Sequence, residues 1–312
     1  MQRILQPGEI EALDRTRLPR LRMPQPESLF TDRAARLRQL AEGNPIADYL
    51  RFVARLVDAQ RTLARQLATG TAHATHAAET LDAGAIAQAQ RHAMPLLPAA
   101  DHLPAAWPQA LSGILAAVDA APETPPPLRE AIARLRALPA LDQEDLLLQA
   151  LSGTLDPGDA ALAPLLMAAL QVIYTLRASR IAASEVPYTI PATVCPVCAF
   201  APVASVQRLG VEPSGLRFAH CGLCATEWHM VRVKCTHCES TEGVRYQGVD
   251  GANGAVLAET CDACGNYRKL ANQEKDPLAE PLADDLASIV LDLLMGETGF
   301  ARASANPLLA LG

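Results

Sequence analysis

Hydrophobic residues recur with helical spacing through the first half of the chain. From Tyr49, the positions Leu50, Val53, Leu56, Val57, Leu63 and Leu67 form an i, i+3, i+4, i+7 stripe, with Gln60 as a polar member. Gly43-Asn44-Pro45 just before it predicts a boundary, with glycine closing one helix, asparagine capping the next and proline in its first turn. Further helices are predicted from Leu128 to about Ala137 and from near Asp142, where Leu146, Leu147 and Leu151 share one side. The most apolar run, Ala160 to Tyr174, is broken only by Pro164 and Gln171. A membrane span needs roughly 20 apolar residues, so this run predicts a buried helix, extending to about Arg180, at the centre of a helical domain. The proline-rich stretches 94–108 and 121–127 read as connections and helix starts, and Ser184 to Pro191 reads as an interdomain linker.

Beyond the linker the pattern changes to short β-like runs and glycines. Candidate strands are Val203–Leu209, Leu216–Ala219, Val244–Val249 and Ala255–Ala258, with turns at Pro213-Ser214-Gly215 and Gly251-Ala252-Asn253-Gly254. Helical periodicity returns at Leu282, Leu286, Ile289, Val290 and Leu293, a terminal amphipathic helix with no stated partner. The expected organisation is α+β. An all-α domain over 1–183 and a linker over 184–193 precede a tandem pair of rubredoxin-like or zinc-ribbon units over 194–272. A C-terminal helix and tail follow over 273–312.

Cysteine placement supplies the chemistry. All eight cysteines fall in C-x-x-C pairs: Cys195/Cys198, Cys221/Cys224, Cys235/Cys238 and Cys261/Cys264. Adding 40 to each number of the first half gives the second, so the module is an internal repeat of C-x2-C-x22-C-x2-C. Four thiolates suit a tetrahedral soft or borderline divalent ion, and two intervening residues let one tight turn present both sulfurs. Twenty-two residues between knuckles are enough for a β-hairpin that returns the second pair to the first, which favours consecutive over crossed pairing. The expectation is two metal ions, each held by four cysteines. Four protein ligands leave no open position for substrate, so the ions are expected to act structurally or in redox.

The remaining composition narrows the choices. Half of the 312 residues are hydrophobic but only 4% are aromatic, which suits a core of packed helices built from Ala, Leu and Val. A net charge of −7 argues against a general affinity for nucleic acid or acidic membranes. The first thirty residues contain no apolar signal segment, so a cytoplasmic protein without membrane insertion is expected, and with it reduced cysteines rather than disulfides. No P-loop, G-x-G-x-x-G, G-x-S-x-G or H-E-x-x-H occurs, and no catalytic residues are assigned. His220, His229 and His237 lie near the cysteines but are expected to be bystanders, and Trp228 is expected to cap the first site. Arg232, Lys234, Arg245, Arg268 and Lys269 form a set of positive charges, read as compensating thiolate charge or as a recognition surface.

The chain resembles the formate dehydrogenase accessory protein family (FdhE type). The resemblance runs through Leu29-Phe30, Arg33-Ala34, Arg36-Leu37, Gly43, Pro45, Asp48-Tyr49-Leu50 and Ala59-Gln60, then through the four knuckles and Tyr267. It continues in Asp285-Leu286-Ala287, Leu294-Met295-Gly296-Glu297, Gly299-Phe300 and Asn306-Pro307, leaving about 70–160 poorly marked. It implies a non-enzymatic cytoplasmic accessory factor that binds the catalytic subunit of respiratory formate dehydrogenases and supports formation of active enzyme. It also implies iron in the two sites, with zinc as the other candidate, and leaves self-association open. The alternative function is a rubredoxin-like iron electron carrier or redox regulator. Knuckles in that family commonly end in glycine, whereas Ala199, Ala225 and Glu239 follow three of the four here and only Cys264-Gly265 keeps it. Glycine eases the turn, so the departure bears on the affinity or potential of the first site.

Overall fold

The computed structural model describes residues 19–69, 81–101, 103–210, 215–249 and 251–309. Residues 1–18, with most of the segment that carries no apolar signal, and Pro213-Ser214 of the first predicted turn lie outside the described residues.

Helix α1 (Pro26–Leu40) and helix α2 (Ala47–Thr69) are separated by the Gly43-Asn44-Pro45 boundary. Gly43 has φ +70°, and Asn44 caps the turn by accepting the Ile46 N–H at 3.1 Å while donating to the Ala287 carbonyl at 2.9 Å. Helices α3 (Ala83–His92) and α4 (Trp107–Ala120) have no counterpart among the predicted elements. Both adjoin proline-rich connections, and Pro108 occupies the first turn of α4, where its missing N–H costs nothing. Helices α5 (Pro126–Ala137) and α6 (Ala140–Ser152) match the expected positions.

The apolar run divides into a 3-10 turn, Pro157–Leu162, and helix α7 (Ala163–Ala178). Every α7 residue from Pro164 to Ala178 is buried, packed against α2, α4 and α6. Together with the 3-10 turn it is long and apolar enough to span a membrane, but 83% of an 18-residue apolar window in that segment is buried within the protein. Its polar residue Gln171 is part of a relay. Gln60 donates to Gln171 Oε1 at 2.8 Å and to the Ala168 carbonyl at 3.0 Å, and Gln171 Nε2 donates to the Gly222 carbonyl at 2.7 Å. The two polar interruptions of the helical pattern thus join the centre of the helical region to the second cysteine knuckle.

The cysteine-containing region is one mixed sheet. Strand β1 (Leu21–Arg22) comes from the chain start, and β2 (Pro202–Gln207), β3 (Arg217–Cys221) and β4 (Glu227–Met230) form the first antiparallel unit. Strands β5 (Val244–Gln247), β6 (Val256–Cys261) and β7 (Asn266–Asn272) repeat it. Parallel pairing of β2 with β7, Ser205 opposite Leu270, fuses the units, giving the order β1-β4-β3-β2-β7-β6-β5. Each unit therefore has a third strand, β4 or β7, beyond the expected hairpin.

The terminal helix is two helices, α8 (Pro281–Ala287) and α9 (Ile289–Glu297), broken at Ser288 with φ −97° and ψ 38°. A final strand β8 (Ala301–Arg302) pairs with β7. Helix α8 lies between the regions: it packs on α1, β2 and β7. Arg33 reaches Glu280 at 2.8 Å, and Arg36 reaches Asp284 and Asp276, each at 2.6 Å. Asn306 donates to Asp285 at 2.8 Å. One hydrophobic core runs from Phe30 and Leu37 through α7 to Cys195, Cys198, Cys221, Cys224 and Leu282.

Candidate metal centres

The four knuckles repeat one turn. In each, the N–H four residues beyond the first cysteine donates to that cysteine's carbonyl: Ala199 to Cys195 at 2.9 Å, Ala225 to Cys221 at 3.2 Å, Glu239 to Cys235 at 3.2 Å and Gly265 to Cys261 at 2.9 Å. These four residues all have left-handed backbones, with φ of 62°, 58°, 63° and 67°. The left-handed conformation is therefore a requirement of the turn, and Ala199, Ala225 and Glu239 meet it with a Cβ in place. Inward N–H groups reach the sulfurs: Leu223 and Cys224 N–H to Cys221 Sγ, each at 3.4 Å, and His237 N–H to Cys235 Sγ at 3.3 Å.

Strand pairing brings the knuckles together consecutively. Cys195, Cys198, Cys221 and Cys224 form one cluster, and Cys235, Cys238, Cys261 and Cys264 form the other, with the sulfurs of each within 4.8 Å of one another. In the first cluster Cys195–Cys224 and Cys198–Cys221 lie at 3.5 and 3.4 Å. In the second, Cys235–Cys264 and Cys238–Cys261 lie at 3.9 and 3.7 Å. A tetrahedron with metal–sulfur bonds of about 2.3 Å has edges of about 3.8 Å, so both donor sets could hold a four-thiolate ion. All eight thiols are free of disulfides. Burial pushes the thiols of Cys195 and Cys198 well up, and that of Cys235 to about 12. A bound cation is what would favour the thiolate form there.

The surroundings of the two clusters differ. All four cysteines of the first are buried and belong to the large core. Its first knuckle is clamped by the helical region: Leu96, Leu97 and Ala99 N–H groups donate to the carbonyls of Pro196, Val197 and Cys198 at 3.3, 2.7 and 3.0 Å. Its second knuckle takes the Gln171 bond described above. In the second cluster Cys235 and Cys261 are buried, Cys264 is half-buried and Cys238 is exposed. None of them belongs to a hydrophobic cluster among the described residues. The third knuckle is held chiefly by polar contacts, Arg268 to Thr236 Oγ1 at 3.0 Å and the Ala192 N–H to Glu239 at 3.0 Å.

The histidines stay outside both donor sets. His220 Nδ1 pairs with Glu227 at 2.9 Å, and His229 packs edge-on against Phe218. Burial alone would raise Glu227, but Arg208 and His220 hold its carboxyl down to about 2. Trp228 is buried in the same core as the first cysteines and donates to the Ala192 carbonyl at 2.8 Å. The basic set divides. Arg268 and Lys269 are buried, Arg268 against Thr236 and the Pro202 carbonyl, Lys269 against Asp292 at 2.6 Å and the Asp285 carbonyl at 2.7 Å. They brace the two units and α9 rather than forming a recognition surface. Arg245 is exposed and pairs with Asp262 at 2.8 Å.

Some of the site's determinants were not singled out in the sequence. Gln171, Arg217 and Glu259 occupy buried polar positions between units, Arg217 donating to the Val231 and Lys234 carbonyls, each at 2.6 Å, and pairing with Glu259. The 40-residue offset carried no signal for these three, since Arg217 and Glu259 map onto Leu257 and Ala219, but it does place the third strand of each unit, β4 and β7, in equivalent positions after the second knuckle.

Comparison with known proteins covers nearly the whole chain. Family models described as FdhE N-terminal, FdhE central domain and FdhE C-terminal domain match residues 18–189, 194–232 and 233–309. A protein FdhE homolog of Cronobacter sakazakii is 38% identical, over 99% of this chain and 98% of that protein. Protein FdhE of Escherichia coli is 36% identical, over 98% and 96%. The crystal structure of the FdhE protein from Pseudomonas aeruginosa superposes with a TM-score of 0.81 at 36% identity, covering 94% of this chain and all of that one.

Proposed function

Because the chain belongs to the FdhE family, we propose that it is a non-catalytic maturation factor that binds the catalytic subunit of a respiratory formate dehydrogenase in the cytoplasm. The observation that carries this reading is full-length similarity, together with two complete four-cysteine clusters in the matching region. In this reading Cys195, Cys198, Cys221 and Cys224 hold one ion, and Cys235, Cys238, Cys261 and Cys264 hold a second. Iron is the metal of the proposal. Bound there, iron would supply a one-electron couple, whereas zinc would supply only a structural tie. With every position around each ion taken by cysteine, neither cluster offers a place for formate.

The chain's own residues would then do two things. The first cluster fixes the sheet to the helical region, and the second unit presents the partner-facing surface around the exposed Cys238. That exposure also favours the second reading, an electron carrier, because an outer thiolate gives a partner short access to the ion.

The test compares wild type with Cys235→Ser/Cys238→Ser. Replacing two thiolates with weakly coordinating hydroxyls should empty the second site. Capture of the formate dehydrogenase catalytic subunit should be lost and exported formate dehydrogenase activity should fall, while the isolated protein turns over no formate in either form. Unchanged capture and activity after metal loss would move the function to the helical region. Failure of wild type to capture any formate dehydrogenase subunit would remove the proposal and promote the electron carrier.

A further inference from the structure

The internal repeat gives the two clusters the same cysteine spacing, yet the fold makes them unequal in access and bracing. The first is sealed. Its cysteines are at most 1% exposed and its two knuckles receive four hydrogen bonds from the helical region, three from the backbone of Leu96, Leu97 and Ala99 and one from Gln171. Its outer strand β4 is covered by β1, Leu21 opposite Trp228. Gly222, inside the second knuckle, is closely packed by Phe200 and Pro307. Withdrawing any of these sulfurs from the cluster requires opening the main core.

The second cluster has none of these covers. Cys238 is exposed and Cys264 half-buried, so one edge of the sulfur tetrahedron faces solvent. The outer strand of this unit is β5, the repeat equivalent of β2; it ends the sheet with no further strand among the described residues, and Arg245 and Tyr246 on it are exposed. The sulfur spacings are also wider, 3.9 and 3.7 Å against 3.5 and 3.4 Å. Opening this knuckle breaks a few polar contacts and disturbs no cysteine that belongs to a hydrophobic cluster among the described residues. Local opening free energies follow such differences in buried contact, so the two sites should open on different scales.

We propose that the second cluster is an exchangeable site for a soft or borderline divalent ion, whereas the first is a permanent one. Exchange proceeds through the Cys238–Cys264 edge, where a competing ligand replaces a cysteine thiolate one for one. The freed sulfur takes a proton from water, and no electrons are transferred. This inference rests on the metal-binding reading above but not on the identity of the partner.

The test uses the full chain loaded with two zinc ions, challenged by a chromogenic chelator in the presence of N-ethylmaleimide. Metal release is followed by absorbance and alkylated cysteines are located by peptide mass spectrometry. Release should be biphasic, the first ion leaving about tenfold or more faster than the second. Cys235, Cys238, Cys261 and Cys264 should be labelled in the fast phase, with helical circular dichroism unchanged. Labelling of Cys195, Cys198, Cys221 and Cys224 should coincide with the slow phase. Equal release, or earlier labelling of the first set, would overturn the inference alone. A chain that takes up no zinc would overturn it together with the metal-binding reading.

Discussion

At Ala199, Ala225 and Glu239 the backbone adopts a conformation that normally selects glycine. The cost is local, and the knuckle imposes it because the turn must bring the N–H of that residue back to the first cysteine's carbonyl. Glu239 recovers part of it through its side chain, which accepts from the Ala192 N–H and pairs with Lys234. Ala199 has no such compensation. Ala199→Gly should therefore stabilise the metal-loaded protein by about 1 kcal/mol, relief of the left-handed penalty outweighing the entropy glycine adds to the unfolded chain. Chemical denaturation of the two proteins under identical metal loading checks this. No gain, or a loss, would mean that the turn is not strained at that position.

Strand β4 shows how a charged residue can be structural. Glu227 is buried, with Arg208 and His220 on its carboxylate, and its carboxyl is held down to about 2 against an ordinary 4.5. A carboxylate with a depressed native value contributes stability that is fully present above about pH 4.5 and is lost as pH falls through about 2. Glu227→Gln leaves Arg208 without its counter-charge and should cost about 3 kcal/mol. The deficit should persist at about pH 5, because Glu227 remains ionised there. Urea melts at about pH 8 and about pH 5 provide the measurement, and a deficit that closes by about pH 5 would contradict the assignment. Elements of this kind were the least legible in the sequence. The stripe from Leu50 to Leu67, the Asn44 cap and the hairpins between knuckles follow from periodicity, turn residues and cysteine spacing. In β4 and β7, Glu227, Arg268 and Lys269 are buried charges, so the strand pattern of alternating apolar residues is absent. Helix α4 was hidden by flanking prolines, and the break at Ser288 by an apolar pattern that continues across it.

Across the whole molecule, the composition change that follows about residue 183 does not coincide with a break in packing. The core that begins at Phe30 passes through α7 and ends on the four cysteines of the first cluster, and α8 and the tail tie the sheet to α1 through Arg33 and Arg36. The repeat of cysteine spacing was fully legible, since a 40-residue offset in all eight positions has one simple chemical reason. The different fates of its two copies were not, because burial and bracing depend on residues as distant as Leu97, Gln171 and Leu21. Each four-cysteine cluster could hold one ion, and the proposed function needs both filled. Metal analysis of protein purified without oxygen and reconstituted with iron, combined with its absorption spectrum and thiol alkylation under native conditions, tests it most directly. Two filled clusters predict two ions per chain, iron–thiolate charge-transfer bands and protection of Cys195, Cys198, Cys221 and Cys224 from alkylation. One ion per chain, with four cysteines free to alkylate, would contradict it.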